Sequence, residues 1–391
     1  MSIYQPKKYL IKTYGCQASM ADSSTMAGIL ESLGFEKASN LDESDIFIIN
    51  TCSVRQKSED KTYGLGKEIK RISENGQKIP FTIMAGCMVG SVTGERQRYE
   101  FDLLKQKTPW VNEYINPAQL LNIPQILSDN NLIDEWAQKK FNPDEIYNQS
   151  QTSDHAFVNI SFGCDNFCTF CVVPYARGKE ISRSKEEILR EIKHFGIRGV
   201  KKITLCGQNV NSWGLDMYTK FEIRSGSDFK LPFAQLLREI HELEEIEKID
   251  FISSNPFDFT SDLIDVFKLP KISNYLHIAV QSGNDEILKK MNRRHTAEEF
   301  KILIKRIRDI KPELEIGTDI IVGFPSETFE QFEDTVSLIE EMKFNVAFIS
   351  IYSPRKGTPA EKYYTDDVPL NEKKRRHAIL TEVFERNKPA R

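Results

Sequence analysis

Three cysteines lie close together in the middle of the sequence, where Cys164, Cys168 and Cys171 form the spacing C-x-x-x-C-x-x-C. Thiolates are soft ligands that suit zinc and iron-sulfur clusters. A structural zinc site usually has four protein ligands, and His155 or His194 is a candidate for the fourth. Three thiolates in a compact loop also suit a four-iron cluster in which one iron stays open. A third interpretation is structural, because free cysteine often packs as a small apolar side chain.

Three further cysteines, Cys16, Cys52 and Cys87, each follow a short apolar run that predicts a strand. The runs extend over Tyr9 to Tyr14, Asp45 to Asn50 and Pro80 to Ala85. Strands that alternate with helical patterns predict a parallel sheet, and all parallel strands end at one edge, where open α/β sheets bind ligands. We therefore expect the three thiols to meet in one crevice as a second metal site. The alternative is one thiol per strand end without a joint role.

Length and composition limit the class of protein. The 391 residues predict two or three domains. A net charge of -4 is no global nucleic-acid signature, so any RNA contact must come from local patches. Seven cysteines in a chain whose N-terminus lacks a signal-peptide pattern favour metal or catalytic use over disulfides. No apolar run approaches the roughly 18 residues of a membrane span, so we expect a cytoplasmic protein.

The alternation of strands and helices predicts the domain organisation. Residues 1–130 form the open parallel-sheet domain, and the polar, aperiodic residues 131–153 form a linker. Residues 154–370 alternate six strands with longer helices, which predicts a barrel or three-quarter barrel with its function at the C-terminal strand ends. Residues 371–391 form a C-terminal helix. The six predicted strands are Phe157 to Phe162, Lys202 to Cys206, Lys248 to Ser253, Tyr275 to Val280, Glu315 to Val322 and Val346 to Tyr352.

The three-cysteine loop follows the first barrel strand, so it lies at the predicted functional end. Cys206, the seventh cysteine, ends another strand and is expected in the core rather than as a ligand. Later strand ends carry glycine and polar residues that are candidate ligand contacts, because glycine lets the backbone approach closely. Ordinary β-α turns would look similar. These ends are Gly207-Gln208-Asn209, Ser253-Ser254-Asn255-Pro256, Gln281-Ser282-Gly283, Gly323-Phe324-Pro325 and Tyr352-Ser353-Pro354-Arg355.

Several motifs together resemble one enzyme family. The cysteine loop after the first strand of a six-unit β-α domain resembles the radical S-adenosylmethionine (SAM) superfamily. The segments Thr-Tyr-Gly-Cys16-Gln, Asn-Thr-Cys52-Ser-Val-Arg and Ala-Gly-Cys87 are similar to the N-terminal domain of its methylthiotransferases. Further segments resemble the MiaB-type tRNA-2-methylthio-N6-dimethylallyladenosine synthases. They are Phe167 to Ser184, Gly207 to Trp213, Val280 to Asp285, Met291 to Thr296, Asp319 to Thr328 and Tyr352 to Ala360.

This resemblance implies two 4Fe-4S clusters with separate tasks. The thiolates of Cys164, Cys168 and Cys171 would hold the cluster that reductively cleaves SAM into methionine and a 5′-deoxyadenosyl radical. An auxiliary cluster would carry the inserted sulfur, methylated by a second SAM. Its ligands would be Cys16, Cys52 and Cys87.

The resemblance also implies SAM contacts at the strand ends. The backbone of Phe170 would lie at the adenine, and Gly207 and Gly323 would allow close approach of the ligand. Gln17 and Asn209 could face the auxiliary cluster or the substrate. The polar contacts would come from Gln208, Ser254, Gln281 and Arg293.

The implied substrate is N6-(dimethylallyl)adenosine next to the anticodon, methylthiolated at carbon 2, so the implied partner is the anticodon stem-loop of tRNA. An electron donor such as a flavodoxin or ferredoxin and a sulfur source are also implied. Family members generally carry a C-terminal TRAM domain that helps to hold RNA, and we expect none in this chain, which ends at Arg391. Basic residues expected near the mouth are Arg177, Lys179, Arg183, Arg293, Arg294 and His295, with a second run, typical of a solvated helix face, at Lys373 to Arg376.

Two alternative functions remain open at this point. Related methylthiotransferases act on threonylcarbamoyl-adenosine in tRNA or on an aspartate of a ribosomal protein, although V-V-P-Y together with G-Q-N-V-N-S favours the prenylated adenosine. The other alternative is a metal-stabilised RNA-binding module without catalysis. Such a module would not need glycine and polar residues at successive strand ends.

Overall fold

The computed structural model describes residues 7–54, 56–143, 146, 154–224 and 229–389. The chain forms two compact units. The first unit comprises Met1–Ser153 together with Phe162–Asp165 and Val172–Ile181. The second unit comprises Asp154–Ser161, Asn166–Cys171 and Ser182–Arg391.

The strands are β1 (Lys8–Thr13), β2 (Glu36–Lys37), β3 (Ile46–Thr51), β4 (Phe81–Gly86), β5 (Glu113–Ile115), β6 (His155–Asn159), β7 (Ser161–Phe162), β8 (Ile181–Ser182), β9 (Lys202–Cys206), β10 (Lys248–Phe251), β11 (Tyr275–His277), β12 (Glu315–Val322) and β13 (Val346–Ile351). The α-helices are α1 (Gln17–Ser32), α2 (Gln56–Glu74), α3 (Cys87–Thr93), α4 (Phe101–Lys107), α5 (Ile123–Asp129), α6 (Glu135–Lys140), α7 (Val173–Ala176), α8 (Lys185–Ile197), α9 (Met217–Arg224), α10 (Pro232–His241), α11 (Ser261–Asp265), α12 (Asp285–Lys290), α13 (Ala297–Ile310), α14 (Phe329–Met342), α15 (Pro359–Tyr363) and α16 (Leu370–Asn387).

The first unit is built on one parallel sheet in the order β2-β1-β3-β4-β5. The central strand β3 is buried along its whole length, as its continuous apolar run predicts for a strand covered on both faces. Alternate β3 residues face opposite cores: Ile46 and Ile48 pack in the core that includes α1, whereas Phe47 and Ile49 pack in the core that includes α2. The predicted open parallel sheet is confirmed. Its strand order, which reverses between β1 and β3, is that of flavodoxin-like folds.

The second unit contains two three-stranded parallel sheets, β6-β9-β10 and β11-β12-β13. Parallel bridges Ile249↔Ile272 and Ser254↔Ile278 connect the β10 side to the β11 side. The six strands therefore follow one another in chain order. One large apolar core, with residues of α8, α10, α13, α14 and α16, covers this array. Within the described residues, β6 and β13 each pair with one neighbour in this array, so the predicted partial (β/α)6 barrel is confirmed as an open one.

The described residues differ from the predicted organisation at two places. Helix α6 lies inside the predicted linker, where a salt bridge between Glu135 and Lys139 (3.3 Å) supports the helical turn. The linker residues 144, 145 and 147–153 lie outside the described residues. Segments 162–165 and 172–181, predicted to belong to the barrel, group with the first unit. The predicted C-terminal helix is α16, which packs on α14 and β13 within the second unit.

No helix in the described part of the chain is long and apolar enough to cross a membrane.

Candidate active site

The first unit brings Cys16, Cys52 and Cys87 together at the C-terminal edge of its sheet, in what we name the thiol crevice. Cys16 precedes α1, Cys52 follows β3, and Cys87 begins α3 directly after β4. Cys52 and Cys87 are buried and Cys16 is exposed. Burial raises the pKa of the Cys87 thiol to about 11, and Cys52 and Cys16 are close enough for their charges to act in the same direction. The edge is the one where parallel sheets bind ligands.

Arg177, one of the basic residues expected near the barrel mouth, is buried at the thiol crevice. Arg177 follows α7, and its Nη2 pairs with Asp22 Oδ2 at 2.6 Å. The charge of its guanidinium lowers the pKa of the Cys87 thiol, against the larger, opposite effect of burial. The pKa of Arg177 itself lies well above its ordinary value, because Asp22 and the Cys87 and Cys16 thiols outweigh the opposing effect of burial. The sequence feature that could have indicated this ion pair is Asp22, because a carboxylate on the buried face of α1 needs a partner.

Gly90 allows α7 to dock on α3. A Cβ at Gly90 would overlap the carbonyl oxygen of Ala176, the last residue of α7. The residue that follows Ala176 is Arg177. The absence of a side chain at Gly90 therefore lets the chain bring this arginine to the thiol crevice.

Replacing Gly90 by alanine is expected to destabilise the protein by about 1 to 3 kcal/mol, because an extra methyl group in a filled contact forces the backbone to shift. The measurement is urea unfolding of the metal-free protein. Gly64→Ala is the matched control: Gly64 also lies within a helix, but nothing lies within 4 Å of its would-be Cβ. That control should be neutral or stabilising by up to about 1 kcal/mol. Equal destabilisation by both substitutions would contradict the docking role of Gly90.

The donor set of the thiol crevice fits an iron-sulfur cluster. Within the described residues, no three His, Cys, Asp or Glu side chains are placed as ligands of a single metal ion. A four-iron cluster is much larger than one ion and is held by thiolates alone. Three thiols and a buried guanidinium supply ligands and a counter-charge for such an anionic group. His155, one of the two histidines considered as a fourth zinc ligand for the three-cysteine loop, hydrogen-bonds through Nε2 to Thr204 Oγ1 at 2.8 Å.

The three-cysteine loop is divided between the units. Cys164 belongs to the first unit, where its backbone N–H donates to Gly178 O at 3.2 Å. The adjacent Asp165 pairs with Arg96 at 2.9 Å. Cys168 and Cys171 belong to the second unit and are partly exposed.

In the second unit, the segment that follows α12 holds the cysteine loop by hydrogen bonds. The Asn292 side chain donates to the carbonyls of Asn166 and Phe167 at 3.1 and 3.0 Å. Thr169 N and Oγ1 donate to the carbonyls of Met291 and Lys290. Phe167 itself has a φ of 49°, a conformation that such outside contacts must maintain. Residues 290–292 therefore hold the backbone on both sides of Cys168.

Arg293 connects this loop to two other strand ends. Its Nη1 lies 3.5 Å from Cys168 Sγ and 3.1 Å from Asn255 Oδ1, and its Nη2 donates to Ala279 O at 2.7 Å. Asn255 in turn donates to Asn209 Oδ1. The hydrogen bonds described for this buried cation include no carboxylate. A buried cation needs anionic compensation, which the Cys168 thiolate or the carboxylate of a ligand can supply.

The residues expected to contact SAM all lie in the second unit. Ser254 is buried, and within the described part of the chain neither its Oγ nor Arg293 Nε has a hydrogen-bond partner. Buried polar atoms normally have a hydrogen-bond partner, so Ser254 Oγ and Arg293 Nε are suited to bind a polar ligand. Gln281 is buried and has a φ of 75°, and Gln208 is half-buried. Phe170 packs against an apolar cluster that includes Met291 and Phe324.

The two glycines have a different explanation from the predicted one. A Cβ at Gly207 would overlap Ser161 Oγ, and a Cβ at Gly323 would overlap Lys373 Cγ. Protein side chains, rather than a ligand, occupy the space that these glycines leave. Asn209 is buried in a hydrogen-bond network with Ser212 and Asp258. Cys206 is completely buried, which confirms its expected place in the core.

The basic residues expected near the mouth are largely unavailable to RNA phosphates. Lys373 and Arg376, predicted to lie on a solvated face, are buried and pair with Asp366 and Glu327. Burial and the neighbouring Arg293 lower the pKa of His295 to about 3, so this imidazole is neutral at pH 7. Arg177 is buried in its pair with Asp22. Arg183 is half-buried and pairs with Glu191. Lys179 and Arg294 are both exposed.

Comparison with known proteins supports this interpretation of the two units. Residues 158–339 match the Radical SAM superfamily, and residues 8–104 match the Uncharacterized protein family UPF0004. A tRNA-2-methylthio-N(6)-dimethylallyladenosine synthase of Thermotoga petrophila is 40% identical over 386 residues, which are 97% of this chain and 82% of that protein. The synthase of Oceanobacillus iheyensis is 36% identical and aligns over 98% of this chain and 72% of its own length.

A solved structure shares the fold at low sequence identity. The radical S-adenosylmethionine methyltransferase TsrM from Kitasatospora setae superposes with a TM-score of 0.63 at 14% identity, over 91% of this chain and 75% of that chain. The open six-stranded array, its cysteine loop and the family match over residues 158–339 define a radical SAM enzyme, a class whose members use SAM and a 4Fe-4S cluster. Within that class the chain belongs to the methylthiotransferases, in the family of the tRNA-2-methylthio-N(6)-dimethylallyladenosine synthases.

Proposed function

We propose that this chain transfers a methylthio group to carbon 2 of N6-(dimethylallyl)adenosine next to the anticodon of tRNA. The observation that carries the proposal is a second set of three cysteines, which converge at one sheet edge, in addition to the radical SAM loop. Relatives named for this activity are 36% and 40% identical over nearly the whole chain. A radical SAM enzyme that only cleaves SAM needs one set of thiolates.

The cysteine loop would hold the cluster that binds and cleaves SAM. When bound, that cluster supplies the electron for reductive cleavage and one open iron for the methionine part of SAM. The chain's own residues orient this site: Asn292 fixes the loop backbone, and Arg293 donates toward Cys168 Sγ. Ser254 Oγ, buried and available, is proposed as a hydrogen-bonding group for SAM. Gln208, Gln281 and the Phe170 backbone complete the proposed contacts.

The thiol crevice would hold an auxiliary 4Fe-4S cluster, the source from which sulfur is inserted. Cys16, Cys52 and Cys87 are its proposed ligands. Cys52 directly follows the buried strand β3 and Cys87 directly follows the buried strand β4, which supports a site that must hold its ligands in position. A second SAM molecule would supply the methyl group.

The proposal includes partners that the chain must meet in the cytoplasm. Reduction of the SAM-cleaving cluster requires a low-potential donor, such as a flavodoxin or a ferredoxin, because SAM is cleaved by one electron. A sulfur source must restore the auxiliary cluster after each transfer. The anticodon stem-loop of tRNA is the proposed substrate.

Mass spectrometry of tRNA nucleosides tests the substrate. In a strain that lacks the gene, the methylthio form of N6-(dimethylallyl)adenosine should disappear and the unmodified prenylated nucleoside should accumulate. Expression of the wild-type chain should restore it, whereas the Cys16→Ala variant should not. Loss of methylthiolation from threonylcarbamoyl-adenosine, with the prenylated nucleoside unaffected, would instead assign the alternative tRNA substrate. Unchanged nucleosides with a change at a ribosomal-protein aspartate would assign the protein substrate.

A further inference from the structure

A nearly solvent-free ion pair lies at the thiol crevice. The Arg177 and Asp22 side chains are only 3% and 2% exposed, and their closest atoms, Nη2 and Oδ2, are 2.6 Å apart. The same Nη2 lies 3.4 Å from Ser19 Oγ. Ser19 Oγ in turn lies 3.9 Å from Cys16 Sγ, and the guanidinium charge acts on both the Cys16 and the Cys87 thiols. Arg177 therefore pairs with a carboxylate and, through Ser19, lies next to a candidate cluster ligand.

Stability alone does not explain such a pair. Removing two charges from water costs several kcal/mol for each ion, and apolar residues of similar size often stabilise a fold at least as well. Arginine is suited to this position because its planar guanidinium carries five donors in a fixed arrangement. One edge can serve Asp22 while other N–H groups remain for acceptors in the thiol crevice. Lysine would keep the charge but not this fork.

The elements that bring the pair together are the same ones that carry the thiols. Asp22 lies on α1, the helix that Cys16 precedes. Arg177 follows α7, which docks on α3, the helix that Cys87 begins. The ion pair thus connects two of the three cysteine-bearing elements of the first unit. A shift of either element would move both a thiol and a charge.

We propose that Arg177, held in place by Asp22, is the positioning residue of the thiol crevice and sets the reduction potential of the cluster bound there. The inference rests on the proposed function, because it requires the auxiliary 4Fe-4S cluster. The potential of such a cluster depends on net charge, hydrogen bonds to sulfur and solvent exposure. A buried cation beside the thiolates stabilises the more negative, reduced state, so it raises the potential. The carboxylate of Asp22 partly offsets that effect.

The test measures the crevice cluster in isolation. The full-length Cys164→Ala/Cys168→Ala/Cys171→Ala variant, reconstituted anaerobically with iron and sulfide, leaves the thiol crevice as the one proposed cluster site. Reductive titration followed by electron paramagnetic resonance then gives its potential. Adding Arg177→Gln should shift the potential to more negative values, because the cation is lost. Adding Asp22→Asn should shift it to less negative values, because the cation is no longer offset.

Opposite shifts from the two halves of one ion pair distinguish an electrostatic role from a structural one. If the pair only supported the fold, both substitutions would lower the unfolding temperature and the iron content together, with no opposed change in potential; that result overturns the inference. Arg177→Lys should bind the cluster with a smaller shift than Arg177→Gln. Arg376→Gln is the matched control, since Arg376 forms an equally buried pair with Glu327 in the second unit, and it should leave the potential unchanged.

Failure of the inference and failure of the proposed function give different results. A parent triple-cysteine variant that holds a cluster whose potential responds to neither substitution contradicts the role of Arg177 alone. A parent variant that binds no iron contradicts the auxiliary cluster, and with it both the proposed function and the inference.

Discussion

Replacing Cys168 by alanine is expected to reduce the formation of 5′-deoxyadenosine from SAM to the level of a protein-free reaction. A cluster held by three thiolates loses a ligand that no neighbouring group replaces, and Arg293 loses the sulfur to which its Nη1 donates. The measurement is quantification of 5′-deoxyadenosine by liquid chromatography after anaerobic reconstitution with SAM and dithionite.

Cys206→Ala is the matched control for this experiment. Cys206 is the seventh cysteine, and it is completely buried in β9 rather than in the loop. Its substitution should leave SAM cleavage intact and cost about 1 kcal/mol of stability, as for a small core truncation. Wild-type amounts of 5′-deoxyadenosine from Cys168→Ala would remove the radical role from the loop.

Replacing Arg293 by methionine is expected to lower the free energy of unfolding of the metal-free protein by about 2 to 4 kcal/mol, because buried acceptors lose a charged donor. Asn255 Oδ1 and Ala279 O are the acceptors in question. We also expect SAM cleavage to fall at least tenfold, since the Cys168 side chain loses its hydrogen bond. Urea unfolding and the 5′-deoxyadenosine assay measure the two effects.

Arg294→Met provides a control at the adjacent position. Arg294 is exposed whereas Arg293 is buried, so the same change of residue type removes a solvated charge in one case and a buried donor in the other. The control should change stability by less than about 0.5 kcal/mol. Similar losses from both substitutions would show that the contacts of Arg293 have no special role.

Much of the fold follows from local sequence patterns. The bounds of β9 and β12 agree with those expected, since each strand has strong local signals. Helix α13 begins with a capping box in which Thr296 and Glu299 bond to each other's backbone N–H groups. The continuous apolar run of β3 predicts a central strand, and the structure confirms it.

The contacts of charged residues could not be predicted in this way. Arg177 and Arg376 are each buried against a carboxylate that is remote in sequence. Their partners, Asp22 and Glu327 among them, come from other elements, and local periodicity carries no information on such pairs. The same limit applies to Gly207 and Gly323, whose neighbours are side chains from distant segments.

The cysteines of the candidate site could be predicted from the sequence, but the packing of the elements around them could not. Spacing and strand ends indicated both sets of thiols. The docking of α7 on α3, which requires Gly90, brings residues 172–181 into the first unit. No local signal in the V-V-P-Y segment predicts that it groups with the first unit, because the contact depends on α3, a helix that is remote in sequence.

Iron and sulfide analysis of the anaerobically reconstituted protein tests the central claim, two clusters on two sets of cysteines. The wild-type chain should bind about eight irons and eight sulfides, and Cys16→Ala and Cys168→Ala should each bind about four, as expected for two 4Fe-4S clusters. Cys16→Ala should still form 5′-deoxyadenosine, whereas Cys168→Ala should not. A wild-type chain that binds about four irons, or zinc in place of iron, or a Cys16→Ala variant with its full iron content, would contradict the account.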